Sequence, residues 1–447
     1  MKEYYQILPI KVYESLEAID ILLNPEIKGY CRDNLKEVVS IIAFHTRKDN
    51  EDPPLRMEYF RKIVPYAERY IKALENLGII KRSKYYIPGE VSYRYNFTPE
   101  YSGKFIELPL TNQKIIARIK DAHKKLGKKA IRHIWGYSEQ VKYLRQLTLA
   151  DGWRELVNIY KSNTDQYNLL LASALRIINK DFFYSIDKTE GRFHSNITNM
   201  KRELRQFLRI NGKPLANIDI KNSQPYLSTI ILTYPSKIAW LAKNTAFQML
   251  LQTLQVSINE DVKLYIKLVA TGQFYEYLIQ EFAKEEIILT RKETKTQVCR
   301  ILFASNRLPK DEVNRKCRLI FKDRFPTVHR IFSKVRGRTQ GTKFENSNRF
   351  AILLATIESY LLLNVIVKRI IKELPGVIVM TIHDSIMTGI LTDNVNAVRK
   401  IMIEVLTEFV GIEPKIEIDD YLNNNKEKTN KENLLIQYDV INPISVN

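Results

Sequence analysis

The 447-residue sequence is poor in cysteine, and its three cysteines (Cys31, Cys299 and Cys317) form no CxxC pair. This scarcity argues against a zinc ribbon or a disulfide framework, and it predicts a reducing, cytoplasmic location. The sequence also lacks a run approaching the roughly 18 consecutive apolar residues that a transmembrane helix requires. Because Met1 is not followed by an apolar signal-peptide core either, we expect no membrane partner.

Acidic residues are in deficit, because 50 Asp and Glu stand against 70 Lys and Arg, for a formal net charge of +20. This excess predicts a polyanionic partner, most commonly nucleic acid, although a solubility adaptation produces the same balance. The 25 tyrosines are interleaved with the cations, and aromatic rings and cations together suit stacked bases and phosphates. The length predicts two or three domains and leaves the oligomeric state open.

The first hundred residues show two helical patterns, at 34–44 and 66–77, and then two strand-like runs, at 79–87 and 91–97. This order resembles a winged helix-turn-helix. The resemblance implies that the second helix enters the major groove of DNA and that the hairpin contacts the backbone. The alternative is a winged helix that is used only for protein contact or as a structural cap. The candidate DNA contacts are basic residues: Arg69, Lys72, Lys81, Arg82, Lys84 and Arg94.

Two aspartates follow apolar, strand-like runs in the second half of the chain. Asp219 follows 215–218, and Asp384 follows 377–382, where a hairpin would present His383 and Asp384 at its turn. Taken singly, an aspartate after a strand is usually a turn or cap residue. Two carboxylates on adjacent strands would instead supply the hard oxygen ligands that magnesium prefers, as metal-assisted phosphoryl transfer requires.

A basic helical pattern lies between the two aspartates. Arg291, Lys295, Cys299 and Phe303 recur every four residues, so they share one side of a helix. Two cations and an aromatic ring on one stripe can bind phosphates and a base or sugar, whereas the alternative is an ordinary charged helix face. With the aspartates, this stripe favours nucleotide polymerisation.

Several stretches in the same order resemble the polymerase domain of the DNA polymerase I family (family A), and more distantly the bacteriophage-type single-subunit RNA polymerases. The matching segments are Gly191-Arg-Phe-His, Asp219 with Ser223-Gln224, the stripe from Arg291 to Phe303, Leu319 to Val328, and Ile382-His-Asp-Ser. A sixth stretch, around Glu358, lies where the family usually has a Gln-Gly pair.

The resemblance implies a role for each matching residue. Asp219, Asp384 and the Ile220 carbonyl would hold two Mg²⁺ ions, with Mn²⁺ as an alternative. Residues implied to contact the nucleoside triphosphate are Arg291, Lys295, Phe303, Gln224 and Tyr226. Residues implied to contact the primer–template, which is DNA or RNA, are Arg192, His194, His383 and Glu358.

Three departures from the family pattern bear on substrate choice. The first carboxylate motif is two residues longer than usual, so Tyr226 would replace the glutamate that excludes a ribose. Phe303 replaces a tyrosine, which removes a possible partner for a 2′-hydroxyl, and both changes favour deoxynucleotides. Glu358 replaces a glutamine, and a negative group there would repel phosphate unless it is protonated or paired.

The sequence therefore predicts an α+β protein in three parts. Residues 1–110 would form the winged helix, 111–185 a helical thumb-like region, and 186–447 a right-hand palm, a small antiparallel sheet with helices, whose helical fingers occupy about 235–345. The predicted activity is that of a small DNA polymerase without proofreading, with plasmid or phage replication as one setting. An RNA polymerase or primase, a template-independent nucleotidyltransferase, and a non-catalytic DNA-binding initiator or regulator stay open as alternatives.

Overall fold

The computed structural model describes residues 4–46, 54–83, 92–131, 135–337 and 348–419. The helices in these ranges are α1 (Ile10–Glu14), α2 (Leu16–Glu26), α3 (Arg32–His45), α4 (Met57–Ile63), α5 (Ala67–Asn76), α6 (Gln113–Ile131), α7 (Trp135–Leu144), α8 (Trp153–Ile159), α9 (Thr164–Ile178), α10 (Arg202–Arg205), α11 (Ser223–Thr233), α12 (Thr245–Thr253), α13 (Glu260–Ala270), α14 (Phe274–Lys284), α15 (Arg291–Phe303), α16 (Glu312–Arg324), α17 (Pro326–Arg336), α18 (Arg349–Ser359), α19 (Val367–Glu373) and α20 (Thr392–Val410). The strands are β1 (Tyr4–Pro9), β2 (Ile80–Arg82), β3 (Tyr95–Phe97), β4 (Phe105–Leu110), β5 (Thr148–Leu149), β6 (Tyr184–Ile186), β7 (Phe193–Ser195), β8 (Leu208–Ile210), β9 (Lys213–Ile220), β10 (Met380–Ile382), β11 (Ser385–Gly389) and β12 (Ile416–Asp419). The predicted α+β class is confirmed, since the structure contains both helices and antiparallel strands.

The chain divides into two compact units, and it crosses between them three times. The first unit comprises Met1–Tyr184 and Ser195–Pro214, and the second comprises Ser185–His194 and Leu215–Asn447. The predicted boundary at residue 110 and the thumb, palm and fingers assignments stay predictions.

The first unit contains the two predicted helices as α3 and α5, followed by the predicted hairpin of β2 and β3. It also contains an antiparallel pair that the sequence did not predict, because β1 pairs with β4 from Tyr4↔Leu110 to Pro9↔Phe105. The amide of Ile7 donates to Ser40 Oγ at 3.1 Å, which fixes α3 on β1. The winged-helix assignment stays a prediction, and Lys84 lies outside the described residues.

The second unit is built on an antiparallel sheet in the order β10–β11–β9–β12. Ile218 and Ile220, on one face of β9, are buried. Asn217 and Asp219 alternate with them and therefore lie on the opposite face. The predicted hairpin is present as β10 and β11, whose register runs from Met380↔Met387 to Ile382↔Ser385.

An aromatic core anchors the helix that follows β9. The ring of Tyr265 on α13 makes edge contacts with Phe274, Phe321, Phe325 and Phe332, at centroid distances between 5.1 and 6.4 Å. Its hydroxyl lies 2.8 Å from Ser228 Oγ on α11. Since edge-to-face aromatic pairs add to the stability that burial supplies, this cluster holds α11 in place directly after β9.

One long apolar helix runs from Arg349 to Glu373 and contains a π-helical stretch, Tyr360–Ile366, between α18 and α19. By length and composition alone, this helix could cross a membrane. However, 67% of its most apolar 18-residue stretch is buried inside the protein, and the core helix of a soluble protein has the same length and composition.

Candidate active site

The structure brings Asp219, on β9, next to Asp384, in the turn that directly precedes the adjacent strand β11. Asp219 on β9 lies opposite Ser385, the first residue of β11, and Asp384 directly precedes that residue. The amide of Ile220 points to the carbonyl of Asp384 at an N···O distance of 3.4 Å. The predicted juxtaposition of the two aspartates is therefore present, and both are half-buried.

A two-residue turn sets the position of Asp384. His383 and Asp384 join β10 to β11, and His383 adopts a left-handed φ of 51°. Tight two-residue hairpin turns require positive φ because their twist must match that of the strands. Ser385 Oγ then donates to Asn217 Oδ1 at 2.9 Å, which ties the start of β11 to β9 just below Asp219.

A third carboxylate, which sequence reasoning missed, lies on the other side of β9. Glu417 on β12 is directly opposite Asp219, and its carboxylate pairs with Lys221 Nζ at 2.7 Å. Like charges at opposed positions of a strand pair are destabilising, so the ammonium of Lys221 offsets this cost. The only signal in the sequence was the apolar–acidic alternation of Ile416-Glu-Ile-Asp.

Glu358 on α18 is buried, and its carboxylate is paired. The sequence predicted that a carboxylate at this position would repel phosphate unless it was protonated or paired, and the second condition is met. Its carboxylate accepts hydrogen bonds from Arg192 Nη2 at 2.7 Å, Gln224 Nε2 at 2.5 Å and Ser223 Oγ at 3.1 Å. Burial, and then the negative charge of Asp384, raise the pKa of Glu358 to about 7, although Arg192 opposes the shift. Glu358 therefore gathers residues of two predicted motifs around one carboxylate.

Tyr226, in contrast, belongs to the core. Its side chain is fully buried, and its hydroxyl donates to the carbonyl of Ile412 at 2.6 Å and lies 3.3 Å from that of Leu406. The ring of Tyr226 therefore has no exposed surface that could make the predicted contact with a nucleotide sugar. The reason is helical geometry, because residues two positions apart on a helix point to nearly opposite sides. Gln224 points toward Glu358, so Tyr226 points away from it and into the core.

We expect Tyr226→Phe to lower the free energy of unfolding by about 1 kcal/mol, because two buried carbonyls lose a donor. The preference between deoxynucleotides and ribonucleotides should not change. Denaturant unfolding and competitive incorporation would measure the two effects, with Tyr234→Phe, at a 57% exposed position, as the control. An altered sugar preference at unchanged stability would contradict this placement.

The basic stripe forms one continuous helix, α15, as predicted. Its start is fixed by a capping box, in which Thr290 and Glu293 bond reciprocally to each other's backbone amides. Arg291, Lys295 and Cys299 are exposed, and Phe303 is half-buried, with its ring 5.9 Å from that of Phe350. The opposite side is buried core, including Thr294, Val298, Ile301 and Leu302.

Tyr275 and Glu276 on α14 lie between this helix and Asp384, and neither was identified from the sequence. Arg291 Nε donates to Glu276 Oε1 at 2.9 Å, and its guanidinium lies 5.3 Å from the centre of the Tyr275 ring. Burial raises the pKa of Tyr275; the negative charge of Asp384 adds to this shift, and the positive charge of Arg291 opposes it. The start of α15 and the turn of Asp384 therefore share one electrostatic environment.

The predicted primer-side residues also come together. The imidazole rings of His194 and His383 lie 6.3 Å apart in an edge arrangement. Arg192, on the same short ribbon as His194, forms ion pairs with Glu190 at 3.1 Å and Glu358 at 2.7 Å. The ribbon of β6 and β7 thus lines the same side of the second unit as the turn of β10 and β11.

The candidate DNA contacts of the first unit lie at its surface. Arg69, Lys72, Lys81, Arg82 and Arg94 are all exposed. Arg82 pairs with Glu75 at 3.2 Å and stacks over Tyr93 at 4.8 Å, and Arg69 lies 4.8 Å from the ring of Tyr66. Their DNA-binding role stays a prediction.

The donor chemistry around Asp219 fits a hard divalent cation. Two neighbouring carboxylates and the backbone carbonyls of a strand end are oxygen ligands, which magnesium prefers over nitrogen or sulfur. Across the described ranges, no group of three or more His, Cys, Asp or Glu side chains is arranged to hold a metal ion. The aspartate pair could therefore supply only part of a coordination shell, with the remaining positions left to substrate and water, as is common for magnesium.

No protein-family model matches the sequence, and no curated protein matches it. Among solved structures, the chain is similar to the POL domain of Pol1 from M. smegmatis in complex with DNA primer-template and dNTP, with 13% identity and a TM-score of 0.27. The alignment covers 68% of this chain and 64% of that domain, so the chain spans less than two thirds of its length. So low a TM-score does not establish a shared fold.

Proposed function

We propose that this protein catalyses template-directed nucleotidyl transfer, with Asp219 and Asp384 as its catalytic carboxylates. The observation that carries the proposal is the register of β9 and β11, which places Asp219 opposite Ser385 and therefore beside Asp384. The order of motifs from Gly191 to Ser385, which resembles family A polymerases, supports the same activity. The absence of a hydroxyl at Phe303 favours deoxynucleotides as substrates.

In this reaction a 3′-hydroxyl attacks the α-phosphate of a nucleoside triphosphate, and pyrophosphate leaves. Asp219, Asp384 and the Ile220 carbonyl would hold Mg²⁺, which supplies Lewis-acid stabilisation of the charge that develops on the phosphate oxygens. Arg291 and Lys295 bind and orient the triphosphate from the exposed side of α15. Phe303, at the end of the same stripe, would contact the base or sugar of the nucleotide with its aromatic ring.

Glu358 has a positioning role in the proposed mechanism. Its carboxylate fixes the side chains of Arg192 and Gln224, which come from two different segments of the second unit. Arg192 would face the primer terminus, and Gln224 would face the nucleotide. Holding both through one buried acceptor keeps the primer and the nucleotide in a constant relative position, which is the main source of rate in phosphoryl transfer.

Primer extension with the purified protein tests the proposal. DNA and RNA templates would each be offered with deoxynucleotides or ribonucleotides, in the presence of Mg²⁺ or Mn²⁺. We expect extension of a DNA primer by deoxynucleotides that follows the template sequence and stops when EDTA is added. A mismatched primer end should not be removed, because the proposed enzyme has no proofreading activity.

The alternative functions give different outcomes in the same assay. Incorporation of ribonucleotides would indicate an RNA polymerase or primase, and extension without a template would indicate a terminal-transferase type of enzyme. No metal-dependent incorporation under any combination would refute the enzymatic proposal and leave the DNA-binding initiator or regulator.

A further inference from the structure

Lys221 carries a positive charge within two residues of Asp219, and no predicted role accounts for it. Its ammonium pairs with Glu417 at 2.7 Å, and its side chain is only 23% exposed. The side chain passes over Gly272 so closely that a Cβ at position 272 would lie 2.5 Å from Lys221 Cδ. Lys221 is therefore directed toward the turn between α13 and α14, and away from the surrounding solvent.

Glu276 lies just beyond that turn, in the first turn of α14. Burial alone would raise the pKa of Glu276, but the hydrogen bond from Arg291 and the charges of Arg291 and Lys221 lower it. The carboxylate of Glu276 thus interacts with both cations, by direct contact with Arg291 at 2.9 Å and through space with Lys221. Four charges alternate in sign along this edge of the second unit, in the order Glu417, Lys221, Glu276 and Arg291.

Three of the four side chains in this series are exposed enough to exchange partners. The side chains of Arg291 and Glu276 are 52% and 46% exposed, and Glu417 is 50% exposed. Ion pairs at such positions contribute little to stability, so breaking one in favour of a stronger anion costs little. A triphosphate carries several charge-assisted acceptors and would compete well with a single carboxylate for two cations.

We propose that Lys221 is a further phosphate-binding residue and that the Glu276 carboxylate holds the place of the triphosphate between Lys221 and Arg291 until a nucleotide displaces it. This inference rests on the proposed function, since it adds a cation to the same triphosphate site. It assigns a use to one of the two extra residues of the first carboxylate motif, because Lys221 lies within that insertion. It also explains the glycine at position 272, because any side chain there would collide with Lys221.

Equilibrium binding of inorganic triphosphate, and separately of a deoxynucleoside triphosphate, would test the proposal by titration calorimetry with Mg²⁺ present. Inorganic triphosphate has no base or sugar, so it reports on the phosphate site alone. We expect Glu276→Gln to bind both ligands about threefold more tightly, the change that corresponds to releasing an exposed ion pair. Lys221→Gln should bind both about tenfold more weakly, because a charge-assisted hydrogen bond is lost.

Two matched variants control for simple changes in net charge. Glu285→Gln removes an exposed carboxylate at the end of α14, and Lys292→Gln removes an exposed cation next to Arg291. Both should bind as the wild type does. The double variant Lys221→Gln/Glu276→Gln should lose most of the gain of Glu276→Gln, since one of the two released cations is then missing.

Unchanged binding by Glu276→Gln and Lys221→Gln in a protein that still extends primers would overturn this inference and leave the proposed function standing. The expected pattern of binding in a protein that extends no primer would uphold the phosphate site and refute the polymerase. Equal shifts in the control variants would also overturn the inference, because the effect would then be one of overall charge.

Discussion

Replacement of Asp384 by asparagine is expected to reduce nucleotide incorporation by at least about a thousandfold, since it removes several kcal/mol of transition-state stabilisation. Asparagine keeps the size of the side chain and its capacity to accept hydrogen bonds, but it removes the negative charge that a divalent cation requires. Asp219→Asn should have an effect of the same order, because the two residues occupy adjacent positions of one strand pair. Single-turnover primer extension would measure both.

Asp393→Asn is a suitable control, because it makes the same chemical change at an exposed position of α20, nine residues after Asp384. It should retain full activity. The two active-site variants should also keep their affinity for primer–template DNA, which depends on the basic surface and not on these carboxylates. Activity of Asp219→Asn and Asp384→Asn within tenfold of the wild type would exclude the aspartate pair as the catalytic site.

Glu358→Gln is expected to remove a pH-dependent part of the free energy of unfolding that amounts to at most about 3 kcal/mol. This value corresponds to the rise in the pKa of Glu358 from 4.5 to about 7. In that interval the folded wild type binds more protons than the unfolded chain, so the contribution of Glu358 to stability falls as pH rises. It is fully present below pH 4.5 and is lost as pH passes 7. Glutamine does not ionise, so the variant should gain stability relative to the wild type between pH 5 and pH 8.

Urea unfolding at several pH values, with EDTA to exclude bound metal, would measure this difference. The charged groups that act on Glu358 are Arg192 and Asp384, so Asp384→Asn should reduce the pH dependence of the wild type. Glu408→Gln, at an exposed site on α20, should show none of this behaviour. A constant difference in stability between Glu358→Gln and the wild type across the pH range would contradict the raised pKa.

The sequence predicted the parts of the site that depend on local patterns. The helix of Arg291 and Lys295 follows from four-residue periodicity, although the Thr290–Glu293 capping box that fixes its start was not identified from the sequence. The hairpin around Asp384 follows from apolar runs on both sides of a short polar turn. Because short-range geometry fixes these elements, their bounds differ only slightly from the predicted ones.

The parts that could not be predicted depend on contacts between distant segments. Glu417 lies opposite Asp219 only through the register of β12 and β9, which join residues nearly two hundred positions apart. The pairing of Glu276 with Arg291 depends on how two helices pack, and the buried hydroxyl of Tyr226 reaches one carbonyl within α20 and another just after that helix ends. No periodicity within one segment contains this information.

The three crossings of the chain between its two units determine how the protein can be divided. A cut between Pro214 and Leu215 separates Arg192 and His194 from Asp219 and Asp384, yet all four belong to the second unit. Neither fragment would therefore carry a complete site, and activity would return only when the two fragments reassemble.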